Sequence, residues 1–446
     1  LYAALLAEGA TEMRLGDDVP PTMTGFERVP EDDELVMLAC RRTTFEWVLR
    51  RAAAAEGRVR FLTGHAVRGL TAAATAGAAP PHVTGVQLDD GSLLAADLTV
   101  VAAGRRSELS SWLLAVGAEP VDEEVDDTGI VYFSRFYRLL PEQEYPPRTG
   151  PIGGDLGYLK YGVFVGDNRT FSVTLATPTD DGQLRKLLAD PVVFDDCARQ
   201  LVATAPWLDG RAVPLTEDVH MMAGLLNRWR NHVSDGVPVA TGVLPVGDAV
   251  LCTNPLYGRG CSLAFWSAHL MAAALRDHAD DPTAMALAYD EALRAEIFPW
   301  YRAGVDQDAE ARRVAAALLA GDDPDGDSAD PRTFMRSVFR EGLLPAIRTD
   351  AVVLRAFCER RTDHAYPWDV GVRRVLMMRL QGLAAAVSAD DVLALASMGF
   401  VPSSESGGTV RVTGGYRLQI EFSHHPPQTV FIRGLAPATP TGDRNA

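Results

Sequence analysis

The spacing of apolar positions along the chain changes character several times. Leu98–Ala103 and Pro238–Gly247 are apolar runs that end in small residues, and each predicts a buried strand followed by a tight turn. Val59–Leu62, His65–Leu70 and Val83–Leu88 predict shorter strands, with Asp89-Asp90-Gly91 as a turn. From about Gly129 the pattern becomes aromatic and β-branched: Ile130–Leu139, Tyr158–Val165 and Arg169–Leu175 predict a mostly antiparallel sheet. Helical spacing at Gly182–Asp190 and Pro191–Ala205 would cover one side of that sheet. Leu1–Met13 reads as a helix and a turn, and Ala284–Ala320 as a long helix interrupted near Phe298-Pro299-Trp300.

Beyond this point the acidic run Gly321–Asp330 lacks the alternating ligands and closing glutamate of an EF-hand and reads as a solvated linker. Pro331–Leu344, Thr349–Arg360 and Asp369–Ala386 read as helices, and Val410–Phe422 as a hairpin around Gly414-Gly415. The tail Ala436–Ala446 carries the composition of a disordered end. His424-His425 has no third and fourth ligand nearby in sequence, so no metal is assigned.

Candidate chemistry concentrates in Leu244–Ala264. An apolar strand delivers Asp248 in Gly247-Asp248-Ala249, and Asn254-Pro255-Leu256-Tyr257-Gly258-Arg259-Gly260 then opens an Ala-rich helix. A carboxylate there can accept hydrogen bonds from ligand hydroxyls, and glycines at a helix N-terminus leave backbone N–H groups uncovered for an electron-rich ring or phosphate. Two weaker stretches accompany it. Leu98–Ser107 runs through Ala102-Ala103-Gly104-Arg105-Arg106 into Glu108–Leu114, a strand, turn and helix in which Arg105 and Ser107 are candidate donors. Leu38–Ala52 is an apolar edge followed by Arg41-Arg42 and an amphipathic helix.

Together these stretches resemble the FAD-dependent monooxygenases of the para-hydroxybenzoate hydroxylase type. The Asn254–Gly260 motif is most similar to that of squalene-epoxidase-like and polyether-type flavin epoxidases. The likeness covers about residues 1–345 and implies an α/β (α+β) fold: a Rossmann-like FAD-binding domain, an inserted antiparallel-sheet substrate domain and a helical C-terminal region. The implied boundaries are 1–125 and 238–280 for the two parts of the FAD domain and 126–237 for the substrate domain. Residues 281–400 form the helical region, and 401–446 the hairpin and tail. The resemblance assigns Arg42, Gly104, Arg105, Asp248, Pro255, Gly258, Arg259 and Gly260 to cofactor binding, with Arg42 favoured over Arg41. No Gly-x-Gly-x-x-Gly occurs in the chain, and Leu1–Met13 resembles the helix and turn that follow such a unit. The expectation is therefore that an N-terminal strand–glycine–helix unit is missing.

The implied activity is epoxidation or hydroxylation of a lipophilic small molecule through a flavin C4a-hydroperoxide. NADH or NADPH would be the reductant, used directly or through a separate flavin reductase. The cofactor performs the hard step, so the sequence assigns no catalytic residue. Two alternatives stay open: a flavin-dependent reductase or dehydrogenase of the geranylgeranyl-reductase-like branch, and a truncated, non-catalytic binding module. A halogenase fits less well, because the chain has no Trp-x-Trp-x-Ile-Pro motif. Tyr132, Phe136, Tyr161 and Phe164 are candidate walls of an apolar substrate pocket.

Composition narrows the partners. A chain of 446 residues with 47% hydrophobic content can bury a substantial core. Its net charge of −17 opposes nucleic acid and anionic membrane surfaces. No apolar stretch approaches the roughly 20 residues of a transmembrane span. Cys40, Cys197, Cys252, Cys261 and Cys358 show no Cys-x-x-Cys spacing and suggest free thiols in a cytoplasmic protein.

Overall fold

The computed structural model describes residues 1–14, 19–20, 22–73, 79–147, 152–324 and 342–355. It also describes the strands Gly408–Thr413, Arg417–Phe422 and His425–Phe431. The fold is mixed α/β and builds three main cores. The first lies under a six-stranded antiparallel sheet, where Ile130–Leu139 pairs with Thr170–Pro178 and that strand with Lys160–Val165. Gly153–Asp155 extends one side, while Ala212–Pro214 and His220–Met222 both pair with Ile130–Leu139. Helices Gly182–Leu188, Pro191–Gln200 and Ala205–Leu208 pack on this sheet, so Phe133, Phe171, Phe194 and Trp207 are fully buried. Asp190 holds the start of its helix by accepting from Val192 N and Val193 N at 2.8 and 3.3 Å, with Pro191 at the first helical position.

The second core joins helix Gly260–Asp277 to Pro282–Glu296 and Phe298–Ala320, with Leu244, Val246, Val250 and Trp229 beneath them. The break between the last two helices falls at Ile297, one residue before Phe298-Pro299. A proline ring cannot sit inside a continuous helix, but it fits the first turn of a new one. The third core lies between Thr99–Val101, Val83–Leu88 and Leu109–Ala115, with Val243 and Ala249 completing it.

The segment Val59–Leu62 is not a strand. Its side chains stay exposed, and Phe61 lies beneath the Arg50 guanidinium, whose carbon is 4.2 Å from the ring centroid. A short apolar run forms a strand only where a partner edge and a core receive it; here the preceding helix offers a cation–π contact instead. The neighbouring strand runs Val67–Ala72 and pairs with Val83–Leu88. Near the C-terminus, Gly408–Thr413, Arg417–Phe422 and His425–Phe431 form an antiparallel sheet. Of the expected helix Thr349–Arg360, residues 349–355 are described and 351–355 are helical; the expected helices Pro331–Leu344 and Asp369–Ala386, most of the acidic run, Cys358 and the tail lie wholly or largely outside the described residues.

Among the described residues no helix is long and apolar enough to cross a membrane.

Candidate functional site

Strand Val243–Pro245 runs parallel to Thr99–Val101 in the register Pro245↔Val101, so the two chains release their next turns side by side. Those turns are Gly247–Ala249 and Gly104–Arg106. Gly104 and Gly247 adopt φ of +71° and +59°, a region that favours glycine. At Gly247 space matters as well. A Cβ there would come within 3.1 Å of the Ala264 methyl group, and its N–H donates to Ser267 Oγ at 2.9 Å. Helix Gly260–Asp277 is thereby seated against the aspartate turn.

Arg230 locks the two turns together. Its Nη1 donates to the carbonyls of Asp248 and Ala249 at 3.2 and 3.0 Å, and its Nη2 to the carbonyl of Arg105 at 3.4 Å. Nε reaches Glu123 Oε1 at 3.1 Å, and the residue is only 2% exposed. A guanidinium fork can satisfy several buried carbonyls at once, which a lysine ammonium cannot match in geometry. Sequence patterning gives no hint of this residue. In the strand Leu226–Asn231 the buried positions carry Asn227, Trp229 and Arg230, which breaks the apolar alternation that would have marked it.

Asp248 is half-buried. Burial pushes its carboxyl above the ordinary aspartate range, while Arg42, Arg105 and Arg230 pull in the opposite direction. Arg42 opens helix Arg42–Ala55 and carries an exposed side chain that pairs with Glu46 at 2.5 Å. Arg41 is engaged elsewhere: its backbone N–H and Nη2 both donate to the buried Asp167 carboxylate at 2.7 Å. The adjacent arginines thus separate, one exposed and paired with Glu46 and one bound to the buried Asp167. Asp167, which belongs to no sequence motif, fixes that separation.

Beyond the aspartate turn, Pro255–Tyr257 forms a short 3-10 turn closed by Gly258 at φ +65°. A Cβ at Gly260 would meet no heavy atom within 4 Å apart from its chain neighbours and its helix backbone. Neither packing nor strain requires glycine there, which leaves open space at the start of an 18-residue helix. Arg259 turns away onto aromatic rings, its guanidinium carbon 5.1 Å from the Tyr257 centroid and 4.8 Å from that of Trp300. Cys252 beside the turn is a protonated thiol at neutral pH, since burial pushes it up to about 11.

The sheet and the Asn254–Gly258 turn enclose a cavity of about 530 Å³. Tyr132, Phe136, Tyr161 and Phe164 line it, joined by Met221 and Met222 from one side and by Pro255 and Leu256 from the turn. Its polar features are the Ser134–Thr174 hydroxyl pair at 2.8 Å, His220 and the Lys160–Asp155 ion pair. Pro255 and Leu256 are therefore shared between the cavity and the turn that carries Gly258 and Gly260. The structure brings Gly104, Arg105 and Asp248 together, with Arg42 close enough for its charge to act on Asp248; Arg259 joins the C-terminal helices instead.

No family model matches the chain. It is 30% identical to Protein Rv3254 of Mycobacterium tuberculosis over 252 residues, which is 53% of this chain and 49% of that protein. The chain thus spans about half the length of the curated relative it matches. Among solved structures it is similar to PqsL, a probable FAD-dependent monooxygenase from Pseudomonas aeruginosa, with 17% identity and a TM-score of 0.48 over 71% of this chain and 81% of that one. It is also similar to the flavin-dependent brominase Bmp2, with 17% identity and a TM-score of 0.46 over 77% of this chain and 76% of that one.

Proposed function

We propose that the chain is an FAD-dependent monooxygenase that epoxidises or hydroxylates a lipophilic small molecule held in the 530 Å³ cavity. The observation that carries this reading is the shared wall at Pro255 and Leu256. An apolar cavity abuts a cradle made of a half-buried carboxylate, nearby arginines and an uncrowded helix N-terminus. That donor set fits FAD: Asp248 would accept from ribityl hydroxyls, Arg42 and Arg105 would face the pyrophosphate, and the Gly258–Gly260 backbone would approach the ring. Bound and reduced flavin supplies the activation of dioxygen. In the overall balance, one oxygen atom enters the substrate and the other leaves as water. NADH or NADPH, directly or through a separate flavin reductase, provides the two electrons.

The chain's own part is to bind, orient and exclude water. Phe136, Tyr161 and Phe164 present apolar faces to the substrate, and Met221 and Met222 add adaptable thioether surface. The experiment is oxygen uptake by the FAD-loaded protein with NADH or NADPH against a panel of apolar alkenes and aromatics. Substrate-dependent uptake with an oxygenated product supports the reading. Substrate turnover under nitrogen without oxygen incorporation replaces it with a flavin reductase.

Asp248→Ala should weaken FAD binding by about 1.5–3 kcal/mol, roughly 10- to 100-fold, through loss of a charged hydrogen-bond acceptor. Unchanged affinity in a folded variant rejects the assignment. The effect also has a pH signature. The ionised carboxylate is the stronger acceptor for a hydroxyl, and the folded protein holds this group above the ordinary aspartate value. Wild-type affinity should therefore fall on acidification at a higher pH than an ordinary aspartate would dictate, and Asp248→Asn should flatten that limb.

A further inference from the structure

The turn shared by cradle and cavity is held by a buried carboxylate outside every motif. Asp308, on helix Phe298–Ala320, is 2% exposed and accepts three hydrogen bonds. Asn227 Nδ2 donates to Oδ2 at 2.6 Å, and Asn254 Nδ2 and Tyr257 OH both donate to Oδ1 at 2.7 Å. The two asparagines pass the constraint onward. Asn227 Oδ1 accepts from Asn254 N–H at 2.8 Å, and Asn254 Oδ1 accepts from Leu256 N–H at 3.0 Å and from Tyr132 OH at 2.6 Å. Tyr132 and Leu256 both line the cavity.

We propose that Asp308 is the positioning residue of the Asn254–Tyr257 turn: through Asn227, Asn254 and Tyr257 it sets the distance between the substrate cavity and the cofactor cradle. The claim rests on the flavin reading for what the cradle holds, but the placement of the turn is a property of these residues alone. A buried network of this kind specifies geometry: each polar atom has one satisfied arrangement, and apolar packing in its place would leave the turn several. A neutral amide at 308 cannot serve three donors. Asp308→Asn keeps the shape but turns one acceptor oxygen into an NH₂ group, set either against the Asn227 amide or against the Asn254 amide and the Tyr257 hydroxyl.

The test is hydrogen–deuterium exchange over residues 254–257, where Pro255 has no amide and the signal reports Asn254, Leu256 and Tyr257. Asp308→Asn should speed exchange there about tenfold or more, with the six-stranded sheet unchanged. Adding Asn254→Asp moves the carboxylate to the other side of the same hydrogen bond, and the double variant should recover at least half of the lost protection. Exchange within about twofold of wild type, equal acceleration along the whole chain, or no recovery in the double variant overturns the proposal. FAD titration of the same proteins separates the two claims. Wild-type binding that weakens about tenfold in Asp308→Asn supports the inference, and wild-type binding unaltered in the variant overturns it. A wild type that binds no FAD overturns the proposed function instead, and exchange alone then decides the role of Asp308.

Discussion

Replacing Arg230 with methionine should destabilise the fold by about 3–5 kcal/mol and abolish FAD binding in whatever fraction stays folded. The change strips the carbonyls of Asp248, Ala249 and Arg105 of their guanidinium donors in a site with little access to water, and leaves Glu123 without that partner. An unmet buried acceptor costs about 1–3 kcal/mol, and several lie here together. The methionine side chain fills similar volume, so the loss would not come from a cavity. Arg230→Lys keeps the charge without the fork and should recover part of the stability. Chemical denaturation of the three proteins measures this directly. A methionine variant within about 1 kcal/mol of wild type would show that the turns hold together without Arg230.

Asp167→Asn should cost about 3 kcal/mol at neutral pH, and the difference should shrink as the solution is acidified. The carboxylate accepts from Arg41 N–H and Nη2, from Thr44 Oγ1 at 2.9 Å and from Asn168 Nδ2 at 3.0 Å. Burial alone would raise its pKa, but these donors outweigh burial and hold it well below the ordinary carboxylate range. The sign follows from linkage. A depressed folded-state pKa stabilises the protein above the unfolded value, and the benefit disappears as pH falls through the folded value. Unfolding free energies of wild type and variant between neutral and acidic pH should therefore converge on the acid side. A constant gap would assign the cost to shape and not to charge.

What the sequence makes legible follows from where local chemistry and tertiary environment agree. Ile130–Leu139 and Thr170–Pro178 are buried, aromatic and β-branched, so their pattern alone marks a sheet; Tyr132 and Phe136 on the first, with Tyr161 and Phe164 on Lys160–Val165, line the cavity. Asp190 precedes Pro191, where one predicted helical segment gives way to the next, and it caps the second helix through its side chain, a local event with a local signature. Gly247-Asp248-Ala249 and Asn254–Gly260 stand out because a turn beside a helix N-terminus restricts residue type strongly. The residues that assemble the site were hidden for the opposite reason. Arg230, Asp167 and Asp308 each satisfy groups supplied by distant segments, and a lone charged residue in a strand, loop or helix carries no pattern until those segments meet. Asn227 and Arg230 even erase the periodicity of their own strand by placing polar side chains where an apolar alternation expects burial. Val59–Leu62 fails in the other direction: its apolar run has no edge to join and remains at the surface.

In the proposed function, the aspartate turn, the arginine turn and the glycine helix together hold a flavin beside the apolar cavity. Titration of the purified chain with FAD, followed by flavin absorbance and fluorescence and repeated with Asp248→Ala, tests it most directly. The expected result is saturable one-to-one binding that the substitution weakens by about 10- to 100-fold. A folded wild-type protein that leaves the flavin spectrum unchanged, or that binds FAD no better than the variant does, would contradict it.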